Sequence, residues 1–410
     1  MALSVCMIVK NEALHLEACL NSVRDLANEI WVFDTGSTDD TVRVAKSLGA
    51  QVKTFDWIDD FSAARNASLA AATGDWVLVL DADETLTPAG RDCLKRVLAE
   101  GSPDPDQSVP GQDTLLITWL RREQGAQQSP YTQVARLFRN HPALKFDQPY
   151  HETIDDSAAA LMAAEPRWQV AQLSIVAMEH TGYSEAQIAV HAKFDRARGI
   201  LERILTQRPD DPYFCNKLGA LYGQMGNWAQ GLALLEHGLA KAGTGSDLIT
   251  TYELNYHAGL ACRDLNRLTR ATAYYRQALA SPVLPPLKLG AYINLGSLLK
   301  QQGHLSKAVE LYEAAIAIDP TQAVTHYNLG VAQRARGYLD EACTAYKAAI
   351  ALVPDYAEAY QNLGVVHFKL GQMSDSQQAF GIAVQLYTQS GQTDKAFKIQ
   401  QGMQQLGIAP

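Results

Sequence analysis

The chain has 410 residues, more than the roughly 250–300 at which a single core stops growing, so two or more domains are expected. Hydrophobic residues make up 47% and charged residues 19%, which argues against a disordered chain. A net charge of −9 with no long basic run argues against a nucleic-acid or anionic-membrane partner.

The first run, ALSVCMIV (2–9), is apolar and of strand length, and Lys10, Asn11 and Glu12 cut it short, so it fits neither a signal peptide nor a membrane span. Six cysteines, at 6, 19, 93, 215, 262 and 343, lack C-x-x-C spacing and read as reduced, buried thiols of a cytoplasmic protein. Ala13, Leu16, Leu20 and Val23 have helical spacing. IWVFD (30–34) is a second strand, and Thr41 to Leu48 a second helix. Gln51 to Trp57 begins a third unit; DWVLVL (75–80) is a fourth strand, and Pro88 after Thr87 opens a fourth helix at N1. Strands alternating with helices predict an α/β domain built on a Rossmann-like, mostly parallel sheet with helices on both faces. Ligands of such sheets bind at the carboxyl ends of the strands, where Asp34 and Asp81 both stand.

Around Asp34 the sequence reads DTGSTDDT (34–41), and D-T-G-S also surrounds the carboxylate of aspartic proteases. That chemistry needs two such carboxylates sharing a proton, and a second Asp-Thr/Ser-Gly is absent. At a strand-to-helix turn, Asp34 and Asp39 are better used on a bound nucleotide. No G-x-G-x-x-G follows the first strand and no G-x-x-x-x-G-K occurs, which leaves a nucleotide held by acids and a metal. Further along, ARLFRN (135–140) and PYHETI (149–154) read as a strand followed by a polar turn, and LSIVAM (173–178) as a strand that ends just before His180.

From about residue 210 the rhythm changes. NLGSLL at Asn294, NLGVAQ at Asn328 and NLGVVH at Asn362 repeat every 34 residues, and the same offset relates Tyr312, Tyr346 and Phe380, Ala315, Ala349 and Ala383, and Pro320 and Pro354. A small-residue helix, a glycine turn, an aromatic-bearing helix and a terminating proline describe the tetratricopeptide repeat, an all-α solenoid. Looser units occupy 217–239 and 257–279; a helix at 184–208 is placed to cap the front of the stack, and one over Thr393 to Leu406 the back. The aromatic stripe reads as packing between helices.

MIVKNE (7–12), DTGSTDDT (34–41), FSAARN (61–66) and DADE (81–84), in this order, resemble the inverting nucleotide-sugar glycosyltransferases of the GT-A fold, in particular the bacterial branch whose catalytic domain is followed by tetratricopeptide repeats. The resemblance implies a catalytic domain over 1–183, a connecting helix over 184–209 and repeats over 210–410. It implies an NDP-sugar donor, usually UDP-linked, and Mn²⁺ or Mg²⁺ at the D-x-D motif. It makes Asp83 the main metal ligand, with Asp81 on the ribose or on the metal through water, and places Asp34, Asp39 and Glu12 about the nucleotide. Arg65, in the turn of A-R-N, is given to the pyrophosphate or the base. Glu152 of the H-E pair is implied as the general base, and His180 as a late metal ligand. A peptide or protein acceptor on the repeats is a further implication, and oligomerisation stays open. The alternatives are a repeat scaffold whose nucleotide-binding domain has lost activity, and nucleotidyl transfer, whose Gly-rich loop is here replaced by KNEALH.

Overall fold

The computed structural model describes residues 1–103, 111–126, 130–150, 152–181, 187–243 and 247–408, with side chains from 194 onward in the stretch that begins at 187. The chain divides into two compact units, Met1–Pro209 and Asp210–Pro410.

In the first unit Leu3–Val9 (β1) is followed by Leu16–Asn21 (α1), Glu29–Asp34 (β2), Thr41–Ser47 (α2), Gln51–Thr54 (β3), Phe61–Leu69 (α3) and Trp76–Leu80 (β4). Then come Glu84–Leu86 (β5), Pro88–Glu100 (α4), Asp113–Glu123 (β6), Tyr131–Arg139 (β7), Asp155–Ala164 (α5), Trp168–His180 (β8) and Gln187–Gln207 (α6). One sheet holds all eight strands in the order β3-β2-β1-β4-β7-β6-β8-β5. Six strands run one way; β7 and β5 oppose their neighbours.

The central strands read as unbroken apolar runs because both of their faces are covered. Alternation divides β1 between two cores: Leu3, Val5, Met7 and Val9 pack with Leu16, Leu20, Ala45, Leu94 and Val97, so α1, α2 and α4 cover that face. Cys6 points the other way with Val77 and Val79, against Phe146, Ile154 and Leu161 of the α5 region. Thr87 accepts from the Gly90 amide with Pro88 at N1, as the sequence predicts for α4. FSAARN departs from expectation: it is the start of helix α3, capped by Asp60, so Arg65 rides on a helix rather than in a turn. In α6, Arg196 pairs with Asp59 at 2.5 Å within the first unit.

The second unit is helical throughout its described residues: Pro212–Gln224 (α7), Trp228–Lys241 (α8), Leu248–Asp264 (α9), Leu268–Ala280 (α10), Leu289–Gln301 (α11), Leu305–Ile318 (α12), Ala323–Arg336 (α13), Leu339–Leu352 (α14), Ala357–Lys369 (α15), Met373–Gln389 (α16) and Thr393–Gln405 (α17). The 34-residue period has a physical cause. A Cβ placed on Gly296, Gly330 or Gly364 would stand 2.8, 2.7 or 2.8 Å from the ring of Tyr312, Tyr346 or Phe380, so the first helix of each pair offers bare backbone to the aromatic of the second. Tyr312 and Tyr346 are fully buried, which makes the stripe core. Ala396, Ile399 and Met403 of α17 close the stack against Phe380 and Tyr387 of α16. Among the described residues no helix is long and apolar enough to cross a membrane.

Candidate active site

Parallel register brings the carboxyl ends of three strands level, with Val9 of β1 opposite Asp34 of β2 and Met7 opposite Leu80 of β4. Asp34 and the residue after Leu80, Asp81, therefore share one edge, roughly 10 Å apart across two strand spacings. The Asp34 carboxylate is nearly buried and accepts from the amides of Gly36 (3.2 Å) and Ser37 (3.1 Å), shaping the turn with Gly36 at φ +102°. Asp39 Oδ1 accepts from the Thr41 amide and hydroxyl, and Oδ2 from the Ala13 amide at 3.2 Å. The Glu12 amide donates to Thr41 Oγ1 at 2.7 Å, so the loop after β1 and the loop after β2 are stitched together.

Beside this edge the other predicted residues meet in one chain of ion pairs. Arg65, 2% exposed, donates from Nη2 to Asp81 Oδ1 and from Nε to Glu152 Oε1 at 3.2 Å. Arg136 of β7 grips Asp81 Oδ2 at 2.5 Å and Glu84 Oε1 at 2.9 Å. Arg121 of β6 joins Glu84 Oε1 at 2.6 Å to Glu123 Oε1 at 2.8 Å. Burial works to protonate Asp81, but Arg136 and then Arg65 outweigh it and hold the carboxyl well below the usual carboxylate range. Both guanidiniums are pushed the other way: burial opposes their charge, and Asp81 together with Glu152, and for Arg136 also Glu84, more than restores it.

The chain ends at His180, whose Nδ1 lies 2.5 Å from Glu123 Oε2 and whose Nε2 lies 3.1 Å from Asp83 Oδ2. Burial lowers the imidazole, but its hydrogen bonds to Asp83 and Glu123 win and raise it to about 9. Two cis ligands of an octahedral ion at about 2.1 Å stand about 3 Å apart, so the Asp83–His180 pair is spaced as two metal ligands would be. Asp81 is not with them; both of its oxygens are taken by arginines. Among the described residues no three His, Cys, Asp or Glu side chains converge as an ion cage.

The structure thus brings Arg65, Asp81, Glu152, Asp83 and His180 together and sets Asp34, Asp39 and Glu12 along the adjoining edge. Arg65 is a buried pair-former, joined to both Asp81 and Glu152, while Arg139 lies over the Trp76 ring. His151 of the H-E pair lies outside the described residues. Arg121, Arg136, Glu84 and Glu123 were not anticipated. The available signal was charge at the end of apolar strands: R-R-E closes β6, and the E of DADE begins β5.

The family described as Glycosyl transferase family 2 matches residues 4–164, and tetratricopeptide repeat families match 252–281, 296–337 and 332–371. A TPR repeat-containing protein of Synechococcus elongatus is 40% identical over 317 residues, 77% of this chain and 75% of that protein. A Rickettsia bellii protein named as an uncharacterized glycosyltransferase is 30% identical over 204 residues, 49% of this chain and 68% of that protein. Among solved structures, the TPR protein YrrB is similar with a TM-score of 0.41 and 16% identity, over 48% of this chain and 97% of that one.

Proposed function

The chain belongs to the family 2 glycosyltransferases that carry tetratricopeptide repeats, and from this premise we propose that its first unit moves a sugar from a nucleoside-diphosphate donor, UDP-linked, to an acceptor hydroxyl or thiol with inversion at the anomeric carbon. The observation that supports the reading is the link Glu152–Arg65–Asp81, which holds a carboxylate beside the D-A-D turn at the strand edge.

In this reading Asp34, Asp39 and Glu12 line the nucleotide side. Asp83 and His180 would hold the divalent ion, and their nitrogen ligand favours Mn²⁺ over Mg²⁺. When bound, that ion supplies charge stabilisation to the departing diphosphate. Glu152 takes the proton of the acceptor as its oxygen or sulfur bonds to the anomeric carbon and the bond from that carbon to the diphosphate oxygen breaks on the opposite face. Arg65 orients Glu152, and its Nη1 is buried with no hydrogen-bond acceptor among the described residues. The repeats hold a polypeptide acceptor.

The test is a panel of UDP-, GDP- and dTDP-sugars scored for Mn²⁺-dependent binding and slow hydrolysis. With the preferred donor, Glu152→Gln should lower turnover by about 10²–10⁴ while donor affinity stays near wild type. If affinity falls and turnover does not, Glu152 binds rather than catalyses. No Mn²⁺-dependent binding by any donor would favour the scaffold reading.

A further inference from the structure

Backbone pairing at the far edge of the sheet builds one row of side chains. Glu84 of β5 is in register with His180 of β8, and His180 with Glu123 of β6. The row is pinned on both sides, by the Thr181 amide on Asp83 O at 3.0 Å and by the Gln124 amide on His180 O at 2.9 Å. Glu123 is itself held fast: it is 5% exposed, and Arg121 grips Oε1 at 2.7 Å from Nη2 and 2.8 Å from Nε. Its remaining oxygen, Oε2, meets His180 Nδ1 at 2.5 Å.

An ionised carboxylate only accepts hydrogen bonds, so Nδ1 carries the hydrogen in that contact. The other ring nitrogen, Nε2, faces Asp83 Oδ2 and donates to it while the imidazole is protonated; loss of that proton leaves Nε2 the lone pair. A histidine that ligates a metal generally donates its second N–H to a carboxylate or carbonyl, which sets both tautomer and ring angle. We propose that Glu123 is a positioning residue of the donor site: by holding Nδ1–H it presents His180 Nε2, beside Asp83, to a divalent cation. The inference rests on the metal-dependent reading above and adds to it a residue from a strand that carries none of the motif acids. The competing account makes Glu123 only a counter-charge for Arg121.

Mn²⁺ itself, with and without UDP, is the probe, and two readouts separate the accounts. Electron paramagnetic resonance of free Mn²⁺ gives affinity, and electron spin echo modulation reports imidazole nitrogen on the bound ion. The full-length chain and Glu123→Ala, Glu123→Gln, His180→Ala and the Glu123→Ala/His180→Ala pair are compared, with thermal unfolding as the check on folding. Glu123→Ala should weaken Mn²⁺ binding by about 10–100-fold and lose the nitrogen signal. Glu123→Gln retains an oxygen that accepts from Nδ1–H, so it should keep the signal and stay within about threefold of wild type. On the His180→Ala background, Glu123→Ala should cost less than about twofold, because the two act as one unit.

The proposal is overturned if Glu123→Ala keeps the nitrogen signal, or if it costs the same factor with His180 already gone. A wild-type chain that binds Mn²⁺ without a nitrogen signal removes His180 from the metal and the proposal with it. A wild-type chain that binds no Mn²⁺ overturns the metal-dependent reading itself, a result distinct from either of the others.

Discussion

Replacing Arg136 by methionine tests whether the buried charges behave as one structural unit. The new side chain has similar length and no charge, so it deletes the contacts of Nη2 with Asp81 Oδ2 at 2.5 Å and Glu84 Oε1 at 2.9 Å. At an effective dielectric near 20, an ion pair at such a distance is worth roughly 6 kcal/mol before desolvation is counted. Glu84 is 0% exposed and cannot regain water, so the loss is dominated by a carboxylate stranded with Arg121 as its one cation in the chain. Removing one partner of a buried pair costs about 3–5 kcal/mol. In a unit of about 200 residues each kcal/mol moves the melting midpoint by about 2–4 °C, so the expected fall is about 6–20 °C. Scanning calorimetry of the full chain should show the transition of the first unit moving while that of the repeats stays. Arg139→Met is the control, since that guanidinium lies over Trp76 and donates to a carbonyl rather than to an acid. On a Glu84→Gln background the penalty should shrink, because the stranded charge is gone. A shift below about 2 °C for Arg136→Met would refute the reasoning.

In the repeats, Gly330→Ala should destabilise by about 1–3 kcal/mol, because its Cβ meets the Tyr346 ring at 2.7 Å. Gly402→Ala, with nothing within 4 Å, should instead stabilise by about 0.4–1 kcal/mol; urea unfolding checks both signs. His257 bonds Asn216 Oδ1 at 2.8 Å, and burial lowers it to about 4, with Lys217 pushing the same way and Glu253 opposing. Its ordinary value is about 6.5, so as pH falls from there the unfolded chain takes up a proton that the folded chain refuses, and stability declines. Between pH 7.5 and 5 the repeats should lose about 2 kcal/mol in the wild type through this group and lack that loss in His257→Gln; equal slopes in urea titrations would remove the histidine from the account. Ending the chain before Asp210 should leave donor binding and slow donor hydrolysis intact while abolishing transfer, and transfer at the full-length rate would show that the repeats do not present the acceptor.

What the sequence displayed and what it concealed follow from the distance over which each feature is encoded. β1, β2 and β4 were legible because burial on both faces writes an apolar run into five to seven adjacent residues. The repeats were legible because one glycine-to-aromatic contact recurs every 34 residues. Helix α3 was not, since FSAARNASL mixes small and polar residues with little apolar period, and its burial comes through Arg65, Ser62, Ala64 and Ser68. Site residues divide in the same way. Asp34, Asp81 and Asp83 lie in short motifs at strand ends, whereas their counter-charges come from β6 and β7, and only the antiparallel register of β4 with β7 delivers Arg136 to Asp81. The paired chain has five carboxylates, Asp81, Asp83, Glu84, Glu123 and Glu152, against three guanidiniums, Arg65, Arg121 and Arg136. The surplus is two negative charges. A protonated His180 cancels one and leaves the site anionic, which disfavours a diphosphate; a divalent cation beside a neutral His180 cancels both. Charge balance therefore supports the proposed divalent ion as the spacing of Asp83 and His180 does, with Asp81, Glu84 and Glu152 entering the first argument and not the second.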